Sequence, residues 1–147
     1  MQDHALIREM LLRSRKAAQE HMDRIKGAAP LTRGLLREAL SHYILSKYML
    51  DGVDCGTENF NALTELSLSR SMKVSKELGK EFDLAKSCDG ATSAMAKKVL
   101  LFLNIQRELG LEIPAEESAK DITLTQLADL IWEVMKTNAN WKNRLAT

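Results

Sequence analysis

The chain has 147 residues, of which 45% are apolar and 28% charged, and its formal net charge is +1. This length is sufficient for one hydrophobic core without disulfides or metal ions, and the composition excludes the low-hydrophobicity, high-charge pattern of disordered chains. Because 21 basic side chains are nearly balanced by 20 acidic ones, the chain has no strong overall electrostatic field that would attract nucleic acid or an anionic membrane. We expect a single domain over residues 1–147.

The amino-acid composition favours helices over sheets. Only two prolines and seven glycines occur, so turn-forming residues are scarce and helix formers dominate. We therefore predict an all-α helical bundle. The two cysteines, Cys55 and Cys88, are too few for a disulfide scaffold or a zinc site, and no signal peptide or membrane span is recognisable. These features predict a cytoplasmic protein with free thiols and no membrane partner.

Residues 3–52 are predicted to form an N-terminal helical hairpin. Apolar residues recur with helical spacing from about residue 3 to 26, and the Gly27–Pro30 segment ends that helix. Thr32 can cap a second helix, and Asp51-Gly52 can end it because glycine tolerates a left-handed conformation.

A further helix is predicted to begin at Thr57 and to end near Gly79. The segment Asp83–Thr92 contains Ser and Gly and is predicted to be a loop. The next helix is predicted from about Ser93 to Leu109. Its middle, Val99–Leu103, has five consecutive apolar residues, which point in all directions around a helix axis. We therefore expect this helix to be covered on more than one side.

The C-terminal region contains two more helix starts. Pro114 with the acidic pair Glu116 and Glu117 suits the first turn of a short helix, and Thr123-Leu-Thr-Gln126 is a capping box for the last one. Trp132 falls off the apolar stripe of that last helix. We expect it to pack inside the protein, and the alternative is that it anchors a partner. Residues 138–147 lose periodicity and are predicted to be a loosely ordered tail.

Four of these features follow one another along the C-terminal part of the chain. They are the long helix, the turn Leu109-Gly-Leu-Glu-Ile-Pro114, the acidic pair, and the capped stretch Asp121-Ile-Thr-Leu-Thr-Gln-Leu-Ala-Asp-Leu-Ile131. In this order the C-terminal part, roughly Asp89 to Thr137, resembles an acyl carrier or peptidyl carrier protein. The resemblance implies a carrier-like four-helix unit over about residues 57–137, packed with the N-terminal hairpin.

The family attaches phosphopantetheine to a serine at the start of its long helix, usually within Gly-x-Asp-Ser-Leu. Here Gly90-Ala-Thr-Ser93 makes Ser93 the candidate for the covalent arm, with Gly90 and Thr92 beside it. The backbone N–H groups and dipole of a helix N-terminus suit a phosphodiester. The motif is divergent, because Thr92 replaces Asp and the following Lys97-Lys98 are basic where carriers present acids to their partners. The alternative role for Ser93 is a simple N-cap.

The resemblance thus implies a non-enzymatic protein that presents an acyl or aminoacyl group on 4'-phosphopantetheine. Its partners would be a phosphopantetheinyl transferase and acyl- or aminoacyl-handling enzymes. The alternative is a degenerate carrier-like scaffold that lacks the arm and acts as a protein–protein interaction module. A small enzyme using Cys88 is the weakest hypothesis, because no base is paired with that thiol in the sequence. We expect no metal site and no nucleic-acid partner.

Overall fold

The computed structural model describes residues 2–78 and 93–146, with only the backbone described at residues 2–4, 72 and 74–78. The helices in these residues are α1 (Gln2–Gly27), α2 (Arg33–Lys47), α3 (Phe60–Leu78), α4 (Ala94–Leu109), a 3₁₀ helix (Ala115–Ala119) and α5 (Leu124–Lys136). Two isolated β-bridges occur, and no strand is present in this part of the chain. The prediction of an all-α fold is confirmed. The predicted Asp83–Thr92 loop lies outside the described residues.

The helices share one continuous cluster of buried apolar side chains. α1 packs along α2, α2 also packs against α5, and α3 packs against α4. Each of the five α-helices contributes to the cluster, for example through Met22, Leu40, Phe60, Phe102 and Ile131. The N-terminal pair α1 and α2 and the helices α3, α4 and α5 are therefore joined by common core packing.

The start of α3 differs from the predicted position at Thr57. Asn59 is the residue that caps this helix, because its Oδ1 accepts a hydrogen bond of 2.8 Å from the Ala62 N–H. Thr57 instead accepts a hydrogen bond from the Asn59 N–H. Backbone pairing of residues 58–60 with residues 122–124 keeps the chain extended up to Asn59, and it joins the starts of α3 and α5.

The end of α2 also differs from the prediction, since the helix ends at Lys47, before Asp51-Gly52. Tyr48 is fully buried and its carbonyl accepts a hydrogen bond from the Ser67 hydroxyl of α3. Met49 then takes the left-handed conformation, with φ of 59°. The anchoring of Tyr48 by α3 therefore places the turn earlier than the local glycine signal indicates.

α4 is covered on one face, and the prediction of burial on several sides is wrong. Leu101, Phe102 and Ile105 are buried in the core, whereas Val99 and Leu103 are exposed, Leu103 by 51%. Leu101 and Phe102 precede Ile105 by four and three positions, so all three lie on one side of the helix. The exposed apolar residues of α4 consequently form a surface.

The two helix starts predicted for the C-terminal region and the expected packing of Trp132 are confirmed. Glu116 and Glu117 occupy the first turn of the short helix, which is a 3₁₀ helix preceded by Pro114. Thr123 and Gln126 form the full capping box, with reciprocal hydrogen bonds of 3.1 and 2.9 Å. Trp132 is buried within the protein.

The last residues are docked against the body, and the prediction of a loosely ordered tail is wrong. The Trp141 side chain is 4% exposed, and its Nε1 donates a hydrogen bond of 2.6 Å to the Leu109 carbonyl. The Leu31 N–H donates to the Arg144 carbonyl, and the Ala146 N–H donates to the Leu31 carbonyl. The tail therefore closes over the end of α4 and the turn between α1 and α2.

Trp141→Ala should lower the free energy of unfolding by about 3 kcal/mol, because it empties a buried aromatic site. Trp141→Phe, which keeps an aromatic ring at this site but loses the hydrogen bond to Leu109, should lower the free energy of unfolding by about 1 kcal/mol. Urea denaturation followed by circular dichroism measures both. The exposed neighbour provides the control, and Lys142→Ala should change stability by less than about 0.5 kcal/mol. Equal stability of Trp141→Ala and the parent protein would contradict tail docking.

An ion-pair cluster joins α2 to α5. The Arg37 guanidinium donates two hydrogen bonds to the Asp129 carboxylate, at 2.9 and 3.1 Å. Arg33 donates a third, at 3.3 Å. The hydrogen bond from Arg37 holds the pKa of Asp129 below its usual value. Because the folded pKa is depressed, the stabilisation is present above the unfolded pKa and is lost as the pH falls through the folded one.

Asp129→Asn should therefore lose less stability than the parent protein when the pH falls from about 5 to about 2. The measurement is urea denaturation at a series of pH values. Asp23→Asn is the matched control, because it removes the same charge from an exposed site whose partner is the uncharged Gln19. An acid-induced loss in Asp129→Asn as large as in the parent would show that this cluster does not contribute to the pH dependence.

Candidate functional site

Ser93 is the N-cap residue of α4 and its side chain is exposed. Its hydroxyl oxygen accepts a hydrogen bond of 3.1 Å from the Ala96 N–H, and its carbonyl accepts one of 3.0 Å from the Lys97 N–H. The capping role that the sequence allowed is thus present. The two neighbours expected to flank an arm, Gly90 and Thr92, lie outside the described residues, as does Cys88.

The electrostatic setting of Ser93 is determined in part by the backbone of the helix start. The first backbone N–H groups of a helix have no intrahelical acceptors and carry a partial positive charge. The first turn of α4 contains no acidic residue that would neutralise it. A phosphodiester on Ser93 would therefore meet a favourable field.

An apolar ridge begins two residues after Ser93. It consists of the exposed side chains of Met95, Val99, Leu100 and Leu103. Three of these recur every four residues, so they form a row about 12 Å long on the side of α4 that faces away from the core. The sequence did point to an excess of apolar residues on this helix, but it did not indicate which of them would stay exposed.

The two lysines that were expected to present positive charge to partners are buried. Lys97 is 0% exposed and Lys98 is 4% exposed. They precede the core residue Leu101 by four and three positions, which places them on the same face of the helix. The Lys97 ammonium donates a hydrogen bond of 3.1 Å to the Ser71 hydroxyl and lies 5.5 Å from the centre of the Tyr48 ring.

Lys98 connects three parts of the chain. Its ammonium donates hydrogen bonds of 2.5 Å to Asn61 Oδ1 and 3.2 Å to the Lys120 carbonyl, and it lies 5.3 Å from the centre of the Phe60 ring. Burial lowers the pKa of Lys98, and the nearby negative charge of Asp121 opposes that shift. The amine therefore fixes α4 against the start of α3 and the segment that leads into α5.

Other candidate groups show no comparable arrangement. Cys55 is a partly buried thiol that donates to the Val53 carbonyl at 3.6 Å. His21 and His42 stack with ring centres 5.1 Å apart, and burial together with the His42 charge lowers the pKa of His21. Over residues 2–78 and 93–146, no three His, Cys, Asp or Glu side chains are grouped to hold a metal ion. The helices in this part of the chain include none long and apolar enough to cross a membrane.

Asn61→Ala should cost about 2 kcal/mol of stability, because it removes an acceptor from a buried ammonium. If that is the cause, the same substitution in a Lys98→Met background should cost far less, because no charge is left without its partner. Urea denaturation of the parent, both single variants and the double variant gives the coupling energy. Equal costs of Asn61→Ala in the two backgrounds would contradict a role for this hydrogen bond.

The chain was compared with models of protein families, with curated proteins and with solved structures. No family model, curated protein or solved structure matches it.

Proposed function

We propose that the protein is an acyl carrier-like protein in which Ser93 bears a phosphopantetheine arm and presents a tethered acyl or aminoacyl group to partner enzymes. The observation that carries this proposal is the position of Ser93, exposed at the start of α4 in a field that favours a phosphodiester. In this function the thioester chemistry belongs to the arm and to the partners, and the helices position the attachment point.

The surroundings of Ser93 suit an encounter with a partner. Because the side chains of Lys97 and Lys98 are buried, they would not make direct contacts with a partner surface at the point of attachment. The surface next to the arm is instead the apolar ridge of α4. A phosphopantetheinyl transferase or an acyl-handling enzyme would then contact α4 chiefly through apolar side chains.

A second candidate function is a carrier-like scaffold without an arm that binds another protein through the same ridge. Two observations favour it: the Ser93 hydroxyl already has a capping role, and the four ridge residues are exposed without any function in the core. Exposed apolar side chains in a row are typical of interaction surfaces. The two candidates differ in whether Ser93 accepts phosphopantetheine.

The deciding experiment is the intact mass of the purified protein before and after incubation with coenzyme A and a promiscuous phosphopantetheinyl transferase. We expect the parent protein to gain one phosphopantetheine, because its serine is exposed and its helix start stabilises the product. Ser93→Asp is the matched control, since aspartate keeps the N-cap and removes the attachment hydroxyl. Ser93→Ala removes both and should also cost about 1 kcal/mol of stability.

A mass gain in the parent that is absent from Ser93→Asp would support the carrier function. No gain in the parent, when an ordinary carrier protein is modified under the same conditions, would overturn it and leave the scaffold as the remaining candidate. A gain in Ser93→Asp equal to that of the parent would place the modification on another residue.

A further inference from the structure

A small pocket lies where α1, α2 and α4 meet, well away from Ser93. Its volume is about 170 Å³. Its lining residues are Arg15, Ala18 and Gln19 of α1, Tyr43 and Lys47 of α2, and Asn104, Arg107 and Glu108 of α4. On each helix the first and last of these residues are four positions apart, so each helix turns one side toward the pocket.

The floor of the pocket is apolar and its walls are polar. Ala18 and Tyr43 are buried in the core, and the small side chain of Ala18 leaves room above it. Arg15 and Arg107 line the pocket and are exposed, so the pocket is in contact with solvent. A ligand could therefore enter without any movement of the backbone.

Positive charge dominates the pocket. Arg15, Lys47 and Arg107 come from three different helices and converge on one space, against the single carboxylate of Glu108. That carboxylate already accepts a hydrogen bond of 2.8 Å from Lys26, outside the pocket lining. Even without Arg15, the two cations Lys47 and Arg107 outnumber the one carboxylate of the lining, so an anion in the pocket would meet net positive charge.

The donor types in the lining suit an oxyanion. Arg107 donates one hydrogen bond of 2.6 Å to Asn104, and a guanidinium has five N–H donors in all. Guanidinium groups bind phosphate and carboxylate oxygens through paired hydrogen bonds, and a lysine adds a mobile point charge. A volume of about 170 Å³ is below that of usual cofactor pockets and fits one compact charged group.

We propose that this pocket binds a phosphate group, either as free phosphate or as the phosphate end of a small phosphorylated molecule. The site is separate from the proposed attachment point, because Arg107 follows Ser93 by 14 residues on one helix, a distance of about 20 Å. The inference does not depend on the carrier function.

The test is a titration with inorganic phosphate at constant ionic strength, followed by the backbone and arginine side-chain resonances in nuclear magnetic resonance spectra. The parent protein should show saturable shifts at the pocket residues with a Kd of about 1 mM. Lys47→Gln and Arg107→Gln should each weaken binding about tenfold, since each removes a charge-assisted hydrogen bond.

Lys16→Gln is the matched control. Lys16 is an exposed residue next to Arg15, but it lies about 100° further around α1 and does not line the pocket. This variant should bind phosphate like the parent. Shifts that never saturate, or equal weakening by Lys16→Gln and Lys47→Gln, would reduce the effect to general electrostatic attraction and overturn the proposal.

A parallel titration with phenyl phosphate distinguishes the two sources of the anion. Tighter binding of the ester than of inorganic phosphate, with the same dependence on Lys47 and Arg107, would support a small phosphorylated molecule as the ligand. Equal or weaker binding of the ester, with inorganic phosphate still saturating, would support free phosphate. Backbone spectra of the variants that match the parent confirm that the fold is retained.

Discussion

The burial of two consecutive lysine amines is the constraint on which the position of α4 depends. A buried ammonium is costly unless hydrogen-bond acceptors surround it, and the acceptors here come from outside the helix. The Ser71 hydroxyl accepts a hydrogen bond from Lys97, while Asn61 Oδ1 and the Lys120 carbonyl accept hydrogen bonds from Lys98. Rotation of α4 would separate both amines from these partners. The same constraint therefore directs the apolar ridge outward and holds the N-cap serine at the surface.

The contacts between the two halves of the chain determine how that surface is supported. α5 lies against α2, where the arginine pair of α2 holds Asp129, and the tail covers the end of α4 through Trp141. The helix that bears Ser93 is thus held by α3 on one side and secured by the tail at its far end. A group attached to Ser93 would move by rotation about the bonds of its own linkage, while the start of α4 stays in place.

Local chemistry accounts for what could be predicted from the sequence. Ser93 as a cap, the Thr123 capping box and the buried Trp132 depend on residues within one or two turns, and each is found. The partners of Lys97 and Lys98 lie 26 and 37 residues away, so no local pattern reveals them. The apolar run Val99–Leu103 led to the wrong prediction that α4 is covered on more than one side, because local sequence does not show which face the distant partners cover. The start of α3 was missed because its position depends on backbone pairing with residues 122–124.

The pairing of Leu31 with the tail has a consequence for the order of folding during synthesis. The turn after α1 forms its backbone hydrogen bonds with Arg144 and Ala146, which follow it by more than a hundred residues. As the chain leaves the ribosome, α1 and α2 can pack together early, but their connection cannot acquire these partners until almost all of this sequence has been translated. The turn between α1 and α2 is consequently completed only after α5 has been made.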